Sequence, residues 1–394
     1  MIATGWTRRA VMAAAARAGV AGLVTGVHDP LSLLAQVTLP GPAGKEKLLV
    51  KSMRPPDYES PVALLDAFIT PIEHFYVHSH LPVPPVADRA TWRLHVEGEV
   101  GAPVALGLDD LRAMPSAIVT TTLECAGNGR AFYDPPVAGI QWGRGAVGTA
   151  RWKGARLKDV LTRAGITPAG RFVLVSGADR PLGKMPEFIR QIPIAKAMHP
   201  DTLVAYEMNG APIPQLHGAP LRVIVPGWEG AYSVKWLNRL RVVDREFDGF
   251  WVATAYRYPT RRVAPGSLVA PADLAPLTGL VVKSLITQPL EGTVVALGTV
   301  NVAGFAWAGE HAIARVDVSV DHGASWQPAR LVGERAPYTW RRFEFAFATR
   351  APESYLILSR ATDVNGRTQP IEPPWNPAGY LWNAPDRVRV EVTA

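Results

Sequence analysis

The chain carries one cysteine, Cys125, in the run TLECAGNGR at residues 122–130. A thiolate is a nucleophile and a soft metal ligand, whereas a thiol without such a role behaves as a small buried apolar group. With a single cysteine in 394 residues, no internal disulfide framework is open to the fold. The C-x-x-C-H signature of covalently attached c-type haem is missing, as is any paired-cysteine spacing for zinc or iron–sulfur ligation. What marks Cys125 is its place. It ends a β-rich run, AIVTTTLE, and Gly127 and Gly129 follow it, where backbone can approach a bound group closely.

Two further stretches concentrate histidine, cationic and aromatic side chains: ITPIEHFYVHSHLPVP (69–84) and AYEMNGAPIPQLHGAPLRVIVPGWEGAYSVKWL (205–237). The elements that must position them are short. TWRLHVEGEV alternates apolar and polar residues and reads as a strand. RFVLVSGAD and PLRVIVPG read as buried strands ending in turns. GLDDLRAMP and ARLKDVLTRAGI space apolar residues at three and four and stop at Pro115 and near Gly165, so both predict short helices. SPVALLDAF predicts another, with Ser60 as its cap ahead of Pro61. Strands and helices mix from about residue 85 to 250, an α+β pattern. From about 275 the texture changes to strands divided by turns roughly every ten residues, the signature of an immunoglobulin-type β-sandwich. RYPTRRVAPGSLVAPADLAP reads as the linker.

The abundance of turn formers, 36 prolines and 35 glycines, fits many short strands better than long helices. The net charge of +7 is scattered, with no basic run, which argues against a nucleic-acid partner and for anionic substrates or acidic proteins. Arg8 and Arg9 precede an alanine-rich stretch of signal length, matching twin-arginine export. That stretch is too short and too rich in Ala and Gly for a membrane-spanning helix. The expected organisation is a signal segment at 1–35, an α+β domain at 36–260 and the sandwich at 261–394, in an exported, periplasmic protein.

The three site stretches, together with SVDHGASW, SRATDVNGRTQP and WNPAGY, resemble the sulfite oxidase family of molybdenum enzymes over roughly residues 60 to 390. The resemblance implies a mixed α/β molybdopterin-binding domain followed by a dimerisation sandwich, hence a homodimer. It implies a molybdenum–molybdopterin cofactor with Cys125 as the protein's metal ligand, a role suited to a soft anionic donor. By the same resemblance Phe75, Tyr76, Val77, His78 and Ser79 line the pterin. Asp179, His217, Arg222, Ser233, Val234 and Lys235 hold it and its phosphate, with Arg222 and Lys235 as cationic donors.

The substrate pocket departs from the family. Arg130 and Trp142 stand where a pocket arginine and tryptophan are expected, but His78 and Ala378 replace two arginines and Phe188 falls at the expected tyrosine. Each charge-assisted hydrogen bond lost costs an anion on the order of 1.5–3 kcal/mol. Lys184, Arg190 and Arg144 are the nearby cations left to compensate. The expected activity is oxygen-atom transfer from the metal centre to sulfite or a related sulfur compound. With no haem expected in this chain, electrons would pass to an external cytochrome c or haem subunit. The alternatives are reduction of S-oxides or N-oxides at the same centre and, in another class, a non-catalytic periplasmic binding protein.

Overall fold

The structure, a computed structural model, describes residues 42–394; the signal segment expected at 1–35 lies outside the described residues. Two five-stranded sheets frame the first part of the described chain. One contains Leu94–Gly98, Val104–Leu106, Phe172–Gly177, Ile189–Pro193 and Leu237–Val243, with Leu237–Val243 parallel to Leu94–Gly98 and the remaining pairs antiparallel. The other is antiparallel and contains Ser116–Glu124, Val147–Arg156, Leu203–Met208, Ala211–Pro212 and Arg222–Ile224.

The helix Leu157–Ala164 buries Leu157, Val160, Leu161 and Ala164, the spacing of one apolar helical stripe. These residues share a core with Leu94, Val96, Val173, Val175 and Leu240 of the first sheet. Gly165 ends the helix in the left-handed conformation, where glycine carries no Cβ penalty. The helix Leu108–Ala113 ends at an extended Met114, the conformation favoured before a proline. SPVALLDAF gives only a 3-10 turn at Val62–Leu64, without a side-chain cap. The Ser60 hydroxyl instead donates to the His74 carbonyl at 2.7 Å, tying this segment to the histidine-rich stretch.

The C-terminal part is a two-sheet sandwich. Lys283–Gln288, Thr299–Trp307, Arg330–Val332 and Arg341–Ala348 form one layer; Thr293–Ala296, Ile313–Ser319, Gln327–Pro328, Ser354–Asp363 and Asp386–Thr393 form the other. One core draws Ile286, Val302 and Phe343 from the first layer and Val318, Ile357 and Val390 from the second. The expected linker is structured: Arg257–Pro259 pairs antiparallel with Leu274–Pro276. A separate apolar cluster of Leu65, Val147, Leu280, Leu285, Phe305, Trp307 and Trp340 joins the sandwich to the second five-stranded sheet. Among the described residues, no helix is long and apolar enough to cross a membrane.

Candidate active site

Cys125 lies one residue beyond the strand Ser116–Glu124, whose last residue pairs with Val147. The Cys125 amide donates to the Ala146 carbonyl at 2.9 Å, so strand register fixes the backbone that carries the thiol. The Asn128 amide then donates to the Cys125 carbonyl, also at 2.9 Å, and Gly129 turns with φ 92°. A Cβ at residue 129 would stand 2.6 Å from the Trp382 ring, so both conformation and space require glycine. Burial pushes the Cys125 thiol up to about 12, opposed chiefly by Arg130.

A cavity opens at Cys125, and all eleven residues assigned from sequence to the pterin face it: Phe75 to Ser79, Asp179, His217, Arg222, and Ser233 to Lys235. On this side Arg222 donates to the carbonyls of His217 (2.9 Å) and Ser233 (2.8 Å). Lys235 donates to the Ser79 hydroxyl (2.8 Å) and the Leu216 carbonyl (3.1 Å). Burial, and then the charge of Arg222, lowers Lys235 to about 7. Burial lowers Arg222 to about 10 and raises Asp179 to about 6. Buried His217 is held well below the usual histidine range.

Another part of the lining is aromatic. His78 and Phe188 line it as expected, joined by His80 and Tyr256. Phe188 stacks on the His80 ring with centroids 4.0 Å apart, and His80 Nε2 meets the Tyr256 hydroxyl. Burial, reinforced by the charge of His78, pushes His80 well below its usual range, so its ring is neutral. The Asp57 carboxylate engages Nδ1 of His78. Trp142 does not face the cavity: fully buried, it packs edge-on to Tyr76 and His78.

Arg130 is likewise absent from the lining. It donates to the carbonyls of Ala378 (3.0 Å) and Ile140 (2.9 Å) and lies over the Tyr380 ring. Of the three nearby cations, only Arg190 packs against the chamber, behind its lining residues Tyr256 and Glu229. Its guanidinium lies between Tyr232 and Tyr256, 4.2 and 4.4 Å from their centroids, and pairs with Glu229 at 3.3 Å. Burial raises the Glu229 carboxyl to about 7 in spite of Arg190. Arg144 pairs with Asp386 of the sandwich, and Lys184 is exposed.

Residues 80–251 match the oxidoreductase molybdopterin binding domain, and residues 275–393 match the Mo-co oxidoreductase dimerisation domain. Mitochondrial sulfite oxidase of Mus musculus is 42% identical over 363 residues, covering 88% of this chain and 66% of the mouse protein. Sulfite oxidase of Arabidopsis thaliana is 32% identical over 382 residues, covering 89% of this chain and 95% of the plant protein. This chain belongs to the sulfite oxidase family of molybdopterin-dependent oxidoreductases. The crystal structure of the sulfane dehydrogenase SoxCD from Paracoccus pantotrophus superposes with a TM-score of 0.75 at 26% identity, covering 94% of each chain. The chain spans just under two thirds of the length of the mouse relative.

The residues present fit the family's cofactor. His217 Nε2 and Arg222 Nε are buried without a partner, an arrangement that costs free energy unless a bound group supplies acceptors or donors. Two buried cations beside them, Arg222 and Lys235, suit a phosphate. Three residues of the chamber escaped the sequence analysis. His80 was legible from its place two residues after His78 in FYVHSH, and the two ring centroids lie 4.5 Å apart. Tyr256 supplies a phenol where Phe188 had implied its loss. It stands one residue ahead of the expected linker with φ 55°, a sparsely populated conformation for a bulky side chain. Glu229 carried no sequence signal.

Proposed function

We propose that this protein oxidises sulfite or a related sulfur compound. The substrate gains one oxygen derived from water, and two protons and two electrons leave. The observation that carries this reading is Cys125 facing a cavity whose lining includes both buried, phosphate-suited cations and the His80–Tyr256 pair. When bound, the molybdenum–dithiolene group supplies oxygen-atom transfer and stores the electron pair. Cys125 would hold the metal, while Arg222, Lys235 and His217 would hold the pterin and its phosphate. Tyr256 and His80 offer a hydroxyl and a neutral imidazole to orient the substrate and pass protons. Electrons would leave to an external cytochrome. The matched dimerisation domain supports a homodimer, and Arg8 and Arg9 support export to the periplasm.

A second reading, reduction of S-oxides or N-oxides, is favoured by one observation. The cations near the aromatic side are already engaged: Arg130 by two carbonyls, Arg190 by Glu229 and two tyrosines. Such a chamber holds an uncharged substrate at less cost than a dianion. The purified protein should contain molybdenum, and Cys125→Ser should abolish turnover while the protein still folds. Sulfite-dependent reduction of cytochrome c supports the first reading; oxidation of a reduced dye by sulfoxides without sulfite turnover supports the second. Protein purified without molybdenum, or full activity in Cys125→Ser, would rule out both.

A further inference from the structure

Glu124 immediately precedes Cys125 and is buried, yet it does not line the cavity. Its Oε1 accepts from Lys283 Nζ at 2.8 Å and from Asn128 Nδ2 at 2.9 Å. Its Oε2 accepts from the Trp307 indole at 2.7 Å. Lys283, also buried, donates a second hydrogen bond to the Asn128 carbonyl at 3.0 Å. Asn128 Oδ1 accepts from the Ala146 amide at 3.1 Å, and the Ala146 carbonyl holds the Cys125 amide. Lys283 and Trp307 are cross-strand partners in the sandwich. The turn that carries the thiol is thus gripped by a pair of residues from the C-terminal sandwich.

A buried ion pair gains little over apolar packing of the same shape, so stability alone is a weak reason for one here. The pair does two things that apolar side chains cannot. Its directional hydrogen bonds fix both faces of the 125–128 turn, and its ammonium neutralises a carboxylate one residue from the thiol. We propose that Glu124, Lys283 and Trp307 are positioning residues for Cys125, through which the sandwich sets the place and electrostatic surroundings of the thiol. The proposal rests on Cys125 as the functional centre, but its test needs no turnover.

Full-length, cofactor-free protein is treated under native conditions with methyl methanethiosulfonate, a small neutral thiol reagent, and modification of Cys125 is followed by mass. Lys283→Met releases the turn at Glu124 and Asn128 and should speed modification at least about tenfold. The loosened turn outweighs the unpaired carboxylate, which by itself disfavours the thiolate. Trp307→Phe removes one hydrogen bond and should speed it about threefold. The double variant Glu124→Gln/Lys283→Met, with no charge left unpaired, should react more slowly than Lys283→Met alone. If Lys283→Met does not accumulate as folded protein, Trp307→Phe and the double variant carry the test. Wild-type rates in the folded variants, with only a lower melting temperature, would overturn the proposal. So would strictly additive effects. A chain that binds no molybdenum would still show the thiol effect, so failure of the functional reading and failure of this one are distinguishable.

Discussion

Lys235, the lysine proposed to hold the phosphate, is tuned by its surroundings before any ligand arrives. Burial and the neighbouring Arg222 hold it at about 7, whereas an unfolded chain keeps the proton up to about 10.4. Below 7 both states are charged, and the folded state bears the full cost of a buried ammonium. Between 7 and about 10.4 only the unfolded state holds the proton, so this residue's contribution to stability rises with pH. For cofactor-free protein that rise should amount to roughly 2–4 kcal/mol, and it should vanish in Lys235→Met. Buried Lys45, also held at about 7, titrates in the same window, so the informative quantity is the difference between the two proteins. Urea-denaturation midpoints measured from pH 7 to 10 check it, and parallel curves would refute the assignment. A bound phosphate would restore the proton, so binding inorganic phosphate or cofactor is coupled to proton uptake.

At the level of elements, the strand Val147–Arg156 joins the strand that leads into Cys125 to the rest of its sheet, pairing with both Ser116–Glu124 and Leu203–Met208. Its register shifts between Lys153 and Gly154, and a Cβ on Gly154 would stand 2.1 Å from the Val204 carbonyl oxygen. Gly154→Ala should therefore cost about 3 kcal/mol or more, read as a loss of thermal stability. An unchanged melting temperature would mean that the strands part without penalty. Much of this level was legible beforehand. Alternation and breakers located the strand Leu94–Gly98, the helices Leu108–Ala113 and Leu157–Ala164, and the sandwich strands, because each buries a periodic face and ends at proline or glycine. That Phe75 to Ser79, Asp179, His217, Arg222 and Ser233 to Lys235 would share one cavity was legible because they cluster in three short stretches. The aromatic part was legible only in its histidines and Phe188. Tyr256, Arg190 and Glu229 come together only through tertiary packing, and no local pattern records that the Arg190 guanidinium lies between two tyrosine rings. The cap expected from Ser60 failed for a related reason: a distant carbonyl competes for its hydroxyl.

For the molecule as a whole, the sandwich offers a site for self-association. Leu290, Val294 and Leu297 are exposed on and beside Thr293–Ala296, a strand at the edge of the five-stranded layer, where unpaired backbone and apolar side chains invite a partner. In solution the chain should have about twice its 42.5 kDa mass, and Val294→Lys should yield the monomer. A dimer unaffected by Val294→Lys would place the interface elsewhere. The route of the last residues has a further consequence. The Leu381 amide donates to the Ala126 carbonyl at 2.8 Å, Arg130 leans on the carbonyl of Ala378, and Trp382 fills the space beside Gly129. A ribosome that has made the thiol must therefore add more than two hundred further residues before the walls around it exist. A metal group held at Cys125 would therefore meet its complete surroundings only once residues 378–382 have been made, and a chain lacking them would lose that part of the wall.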